Sequence, residues 1–173
     1  MIAAQHDWNR IAAAACAVSA CGAEGSRGGV EFAGRTPRMQ AFVDCAWDAL
    51  AGSGVSWIGF YLDVPGAADA ERLVLGPRRD KPACSPIGLH GACGRCLVSG
   101  APLVVRDVSE LGPNYIACDP RDRSELVVPC RIAGTVWGVL DVDSHAIGCF
   151  SEADAAGAVQ ALEAWGLSSS SAA

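Results

Sequence analysis

The stretch "SELVVPCRIAGTVWGVLDVDS", residues 124–144, decides the fold. Its two apolar runs, Ser124 to Ile132 and Thr135 to Val142, read as strands, and only Ala133-Gly134 separates them. So short a connection joins antiparallel neighbours. Upstream, "VSWIGFYL" at 55–62 is a strand, "DVPGAADAE" is a turn, and Arg72 to Leu75 is a second short strand, so another hairpin forms. Leu103 to Arg106 adds a further strand. With most neighbours joined by short turns, the sheet should be largely antiparallel.

Helices fill the rest. Apolar residues at 39, 42, 43, 46, 47 and 50 have helical spacing, so Met39 to Leu50 is an amphipathic helix, ended by Gly52-Ser53-Gly54. Ala92 to Ser99 is a short helix closed by Gly100-Ala101-Pro102. Ser151 caps a last helix that runs to Trp165. Gly22 to Pro37 and Lys81 to Gly91 read as loops, Asp107 to Asp122 as loop or short helix, and "SSSSAA" as a frayed tail. Helices covering one sheet make an α+β domain.

A chain of 173 residues, 51% of them apolar, suits one domain with a sizeable core. A net charge of -6 and a pI near 4.9 argue against a phosphate-backbone partner. Pro77-Arg78-Arg79-Asp80-Lys81 is too short to offset that balance and reads as a solvated loop. No apolar run reaches the length of a membrane span. "IAAAACAVSAC" at 11–21 resembles a signal-peptide core, and Val18-Ser19-Ala20-Cys21 a lipoprotein cleavage box. The preceding "MIAAQHDWNR" nevertheless has one basic residue balanced by Asp7, where a positive leader is expected. A helix capped by Asp7, with Trp8, Ile11, Ala15 and Val18 on one face, is the expectation.

Strand alternation places side chains on faces. Trp57, Gly59 and Tyr61 share one face of their strand, with a gap between the rings, and Ile58, Phe60 and Leu62 share the core face. Trp137, Val139, Asp141 and Asp143 are expected on one face, Leu140 and Val142 on the other. Glu125 shares a face with Val127. If the sheet joins these faces, one pocket holds two aromatics and three carboxylates, suited to a methyl-bearing group, an ammonium and a proton to be delivered. An acidic strand end facing water is the other reading of the same spacing.

Nine cysteines are many for this length. A domain of this size needs no disulfide frame, so reduced thiols in the cytosol fit better. Cys16, Cys21, Cys45, Cys130 and Cys149 lie in or beside apolar segments and read as packing. Cys84, Cys93, Cys96 and Cys118 lie among Gly, Pro and polar residues. Cys93 near a helix start should favour a thiolate. Cys93-Gly94-Arg95-Cys96 supports redox chemistry, or half of a zinc site completed by Cys84 and Cys118.

"WIGFYL", "LVLGP", "KPAC", "HGACG", "YIACD", "RSELVVP" and "GVLDVDS" appear in that order. Together they resemble the free methionine-(R)-sulfoxide reductases, single-domain GAF proteins, over roughly 39–164. The resemblance implies a GAF-like six-stranded antiparallel sheet flanked by helices. The GAF domain is expected at 38–167, after an N-terminal helix and loop at 1–37 and before a disordered tail at 168–173. It implies that the Cys118 thiolate attacks the sulfur of free methionine sulfoxide and becomes a sulfenic acid. Cys84 matches the main resolving position and Cys93 the third cysteine of the family. Thioredoxin, fed by NADPH, would reduce the resulting disulfide, with no bound cofactor or metal. Trp57 and Tyr61 would cradle the S-methyl end, Asp141 and Asp143 would hold the ammonium, and Glu125, with Asp143 or through water, would protonate the sulfoxide oxygen. Cys96 is extra, and Leu89-His90 stands where the family usually carries a Gly-Arg pair. The expected protein is cytoplasmic, binds neither nucleic acid nor membrane, and has homodimerisation open to it. A non-catalytic GAF module sensing a ligand or redox state through its thiols is the alternative.

Overall fold

The computed structural model describes residues 6–19, 32–79, 83–112, 115 and 118–169. In chain order the helices are α1 (Trp8–Ser19), α2 (Phe32–Leu50), α3 (Ala92–Ser99) and α4 (Glu152–Ala164). The strands are β1 (Val55–Asp63), β2 (Leu73–Arg79), β3 (Leu103–Val105), β4 (Ser124–Ile132) and β5 (Thr135–Ser144). All neighbours pair antiparallel in the order β2-β1-β5-β4-β3.

Among the described residues the sheet has five strands, not the six that the resemblance implied. Beyond β2, where a further strand would pair, the chain offers one isolated bridge, Leu73 to Ile87. Pro86, Gly88 and Gly91 surround Ile87 and do not sustain a ladder.

The decisive hairpin forms as read. Ala133 and Gly134 both have positive φ, 49° and 80°. Two such residues in a two-residue loop match the right-handed twist of the flanking strands. Pro129 sits within β4, but β3 pairs only with Glu125 to Val127, so the missing N–H falls beyond that neighbour.

One expected face is corrected. The β4–β5 pairing slips between Cys130, opposite Gly138, and Arg131, opposite Val136. The extra residue is Trp137, and this bulge turns it to the side of Leu140 and Val142. There its ring stacks on Phe60 at 6.2 Å, and its Nε1 donates to Leu167 O at 3.2 Å.

Helices α1, α2 and α4 bury the larger core against one sheet face, with Met39, Phe42, Val43, Ala46 and Leu50 fully enclosed. α3 covers the other face with a smaller cluster that includes Trp57, Tyr61, Val127 and Val139. Asp7 caps α1 through the Arg10 N–H at 3.0 Å, and Trp8, Ile11 and Ala15 are buried as their spacing required. The side chain of Val18, Cys21 and the loop up to residue 31 lie outside the described residues.

Several boundaries move. α2 starts at Phe32 rather than Met39, with Pro37 inside it. β2 begins at Leu73, not Arg72, and continues through Arg79, so Pro77 to Arg79 belong to an edge strand rather than a loop. Ser168 and Ser169, expected in the disordered tail, are held against β4. Ser168 is buried, its Oγ accepts from Arg131 N at 3.1 Å, and Ser169 N donates to Arg131 O at 2.8 Å. Of the cysteines read as packing, Cys130 lies in the core and Cys45 packs against it, but Cys16 is exposed. No helix among the described residues is long and apolar enough to cross a membrane.

Candidate active site

Three strands set the floor of the site by register. Trp57 pairs with Asp143 and Asp143 with Glu125; Gly59 pairs with Asp141 and Asp141 with Val127; Tyr61 pairs with Val139. Side chains directly opposite in such pairs stand about 4.5–5.5 Å apart at Cβ. Register therefore gathers the three carboxylates beside the two rings. The ring centroids of Trp57 and Tyr61 are 6.1 Å apart. A Cβ on Gly59 would stand 2.5 Å from the Trp57 ring, so the glycine admits that ring. The gap expected between the aromatics is filled by Trp57 itself.

The segment 83–91 arches over this floor. Its tether to β2 is reciprocal: Leu73 N donates to Ile87 O at 3.0 Å, and Ile87 N to Leu73 O at 2.8 Å. Ser85 Oγ accepts from Leu75 N at 3.1 Å. Tyr61 Oη donates to Cys84 O at 2.9 Å, and Cys84 N donates to Cys118 Sγ at 3.3 Å. A sheet residue thus positions one cysteine against the other. Both cysteines are exposed. Trp57, Tyr61, Cys84, Cys93, Cys118, Glu125, Asp141 and Asp143, all singled out in the sequence, line one cavity of ≈ 400 Å³.

The carboxyls at its base hold their protons more tightly than exposed ones. Burial, then the charge of Asp143, pushes Glu125 up to about 8. Burial, then Glu125, raises Asp141 well above the usual carboxylate range. Such a close pair shares a proton more readily than it carries two charges. Their remaining oxygens, Glu125 Oε2 and Asp141 Oδ1, are buried without a hydrogen-bond partner. That is an unfavourable arrangement, at about 1–3 kcal/mol for each group, unless a donor enters.

The thiols behave differently from expectation. Cys93 lies in the first turn of α3, yet burial, then Asp141 and Glu125, raises its pKa well above that of a free thiol. Desolvation and two carboxyls outweigh the helix dipole there, so no thiolate is favoured at rest. Cys93 Sγ lies 4.0 Å from Glu125 Oε1. Burial, then the Cys84 thiol, pushes Cys118 up to about 12. The four-cysteine zinc set does not assemble. One ligand atom each from Cys93, Glu125 and Asp141 converge within 4.8 Å, whereas no three of Cys84, Cys93, Cys96 and Cys118 do so.

Among the other residues that line the cavity, Tyr115, Ile87 and Asp122 escaped the sequence reading, and His90 entered it only as a departure from the family pattern. Tyr115 stands in the same "YIACD" run as Cys118, which was the available signal. Ile87, His90 and Asp122 reach the cavity because loops fold over the sheet, and linear spacing does not report that. Asp122 is buried, accepts from Ser56 Oγ at 3.2 Å, and lies 3.5 Å from His145 Nε2. Asp119 is also 3.5 Å from that nitrogen, so His145 fastens the turn that carries Cys118.

The family described as "GAF domain" matches residues 39–163. Protein YtsP of Bacillus subtilis is 40% identical over 102 residues, 58% of this chain and 60% of that protein. The free methionine-R-sulfoxide reductase of Escherichia coli is 36% identical over 105 residues, 60% of this chain and 59% of that one. The chain thus matches about three fifths of these relatives' length. A solved free methionine-R-sulfoxide reductase from Neisseria meningitidis, in complex with its substrate, superposes with a TM-score of 0.75 at 28% identity, covering 91% of this chain and 85% of that one. With most of the sequence matched and the sheet arranged as described, the chain belongs to the GAF domain family.

Proposed function

We propose that this protein reduces free L-methionine-(R)-sulfoxide to methionine, with Cys118 as the nucleophile. One observation carries the reading: a pair of adjacent thiols, two buried carboxyls and two aromatic rings meet in one cavity. Each matches a part of the substrate. The rings of Trp57 and Tyr61 suit the S-methyl group, and Asp141 with Asp143 suit the ammonium. An arriving ammonium supplies an opposite charge, which counters the burial that raises Asp141. Methionine within a polypeptide lacks that ammonium, which selects for the free amino acid.

A neutral sulfoxide is a poor electrophile until its oxygen is protonated. Glu125, with a pKa of about 8, still carries its proton at neutral pH and is the donor. Cys118 attacks the sulfur and its thiol proton returns to Glu125, methionine leaves, and the sulfoxide oxygen with the donated proton ends on Cys118 as a sulfenic acid. Cys84 then attacks that sulfur, a disulfide forms and the oxygen departs as water. The Cys84 N–H at 3.3 Å from Cys118 Sγ supports Cys84 as the resolving partner. Cys93, enclosed beside Glu125, supports the carboxyls instead. A dithiol of the thioredoxin type reduces the disulfide by exchange. The similarity of the chain to the free methionine-R-sulfoxide reductases of Escherichia coli and Neisseria meningitidis supports the reaction class, while the roles of the cysteines rest on the geometry of the cavity.

The test is NADPH consumption with thioredoxin, thioredoxin reductase and an equal mixture of R and S epimers. Wild type should stop at about half the mixture, and Cys118→Ser should be inactive. A folded, reduced wild-type protein that does not turn over would instead favour the ligand- or redox-sensing GAF module.

A further inference from the structure

On the helix-covered face, away from the cavity, a carboxylate, an imidazole and a thiol stand in line. His6 Nδ1 lies 2.8 Å from Asp154 Oδ1, and His6 Nε2 lies 3.7 Å from Cys149 Sγ. Asp154 is held by its neighbours: Oδ2 accepts from Ser151 N at 2.9 Å and from Ser151 Oγ at 2.7 Å, and Oδ1 accepts from Trp8 Nε1 at 3.3 Å. The His6 ring stacks on Phe150 with centroids 5.4 Å apart. His6 and Asp154 are 4% and 3% exposed, and Cys149 is 9% exposed. Sulfoxide reduction uses none of them.

The order of these groups has a chemical meaning. Asp154 accepts from one ring nitrogen, so the other is left to take the thiol proton. Packing alone would predict a suppressed thiol, as at Cys130, which burial raises well above the free value. At Cys149 burial pushes the same way, but hydrogen bonds from His6 and Ser144 win and hold the thiol below its ordinary pKa. Burial likewise opposes charge on His6, yet bonds to Cys149 and Asp154 hold it above its ordinary value. Burial raises Asp154 too, and the Ser151 and His6 bonds more than reverse this. Among the described residues, His6 and Asp154 are the charged groups that bear on Cys149. One side of the sulfur faces Gly54, where a Cβ would stand 3.3 Å away.

We propose that Cys149 is a second nucleophilic thiol of this chain, a site of oxidation by small hydroperoxides that His6 activates and Asp154 orients. The Cys149 sulfur attacks the terminal peroxide oxygen and the O–O bond breaks. Cys149 becomes a sulfenic acid, and the departing alkoxide or hydroxide takes its proton from the His6 imidazolium, giving an alcohol or water. With Cys149 only 9% exposed, the proposal is confined to oxidants as small as hydrogen peroxide.

The test uses the full-length reduced chain, hydrogen peroxide and dimedone, with each cysteine read by mass spectrometry. Cys149 should trap dimedone at least about tenfold faster than Cys130, the buried thiol without an imidazole. His6→Asn should slow Cys149 and move its pH–rate midpoint upward. If His6 only shields the sulfur, the same change would speed labelling and leave the midpoint in place, which overturns the proposal. Because His6→Asn also disturbs packing, the ultraviolet absorbance of the thiolate at neutral pH is compared between wild type and Cys149→Ser. Loss of thiolate signal in the variant supports the ion pair; no loss, or a Cys149 as slow as Cys130, overturns it. Cys149→Ser should leave sulfoxide turnover unchanged.

Discussion

Glu125 shows how one residue's surroundings change its chemistry. An exposed glutamate is ionised at neutral pH and donates nothing. Packed against Asp143 and Asp141 in a buried corner, its pKa rises to about 8. If it is the proton donor, kcat/KM should fall as pH rises through about 8, because the neutral form is lost. Glu125→Gln should lower kcat/KM by about 10²–10⁴ and remove that limb of the pH–rate profile. The two candidate resolving cysteines separate at the same scale. Cys84→Ser should release one methionine per chain and then stall, as counted by amino-acid analysis without reductant recycling. Cys93→Ser should keep cycling with thioredoxin. The carboxylates were legible from strand alternation; their protonation was not, because that depends on desolvation and on neighbours from other strands.

At the scale of elements, α3 and the arch 83–91 are fitted by a glycine. A Cβ on Gly94 would stand 2.2 Å from Leu89 Cα and 2.4 Å from Leu89 O. Backbone cannot yield as a side-chain tip can, so α3 or the arch must shift. Gly94→Ala should therefore lower the melting temperature and reduce turnover together, since α3 carries Cys93 and the arch carries Cys84. Restored activity in a folded Gly94→Ala chain would remove this role. Elements with strong local signals, such as α3 and the β4–β5 hairpin, were readable in advance. The bulge at Trp137 was not: alternation placed it with Val139, but its ring and its Nε1 find partners on the other face.

For the whole molecule, the buried carboxyls make stability depend on pH. Below pH 4.5 Glu125 is protonated whether the chain is folded or not, so it imposes no penalty. Between 4.5 and about 8 the unfolded chain loses this proton and the folded chain keeps it, so stability falls as pH rises. Above about 8 the loss is complete, on the order of a few kcal/mol. Asp141 contributes with the same sign. Urea melts at several pH values should show this slope in wild type and a weaker one in Glu125→Gln. An unchanged slope would mean that Glu125 titrates alike in both states.

By itself the sequence determined the α+β class, the antiparallel hairpins, α3 and the cap of α4, because capping, turn chemistry and periodicity act over a few residues. It also named eight of the residues that line the cavity, but not Tyr115, Ile87 or Asp122. Only the tertiary structure decided that Cys84 lies against Cys118, that Cys93 is enclosed rather than activated, and that His6 meets Cys149 across 143 positions. These outcomes depend on which distant segments exclude water together, and desolvation is a property of the packed whole, not of any stretch of chain.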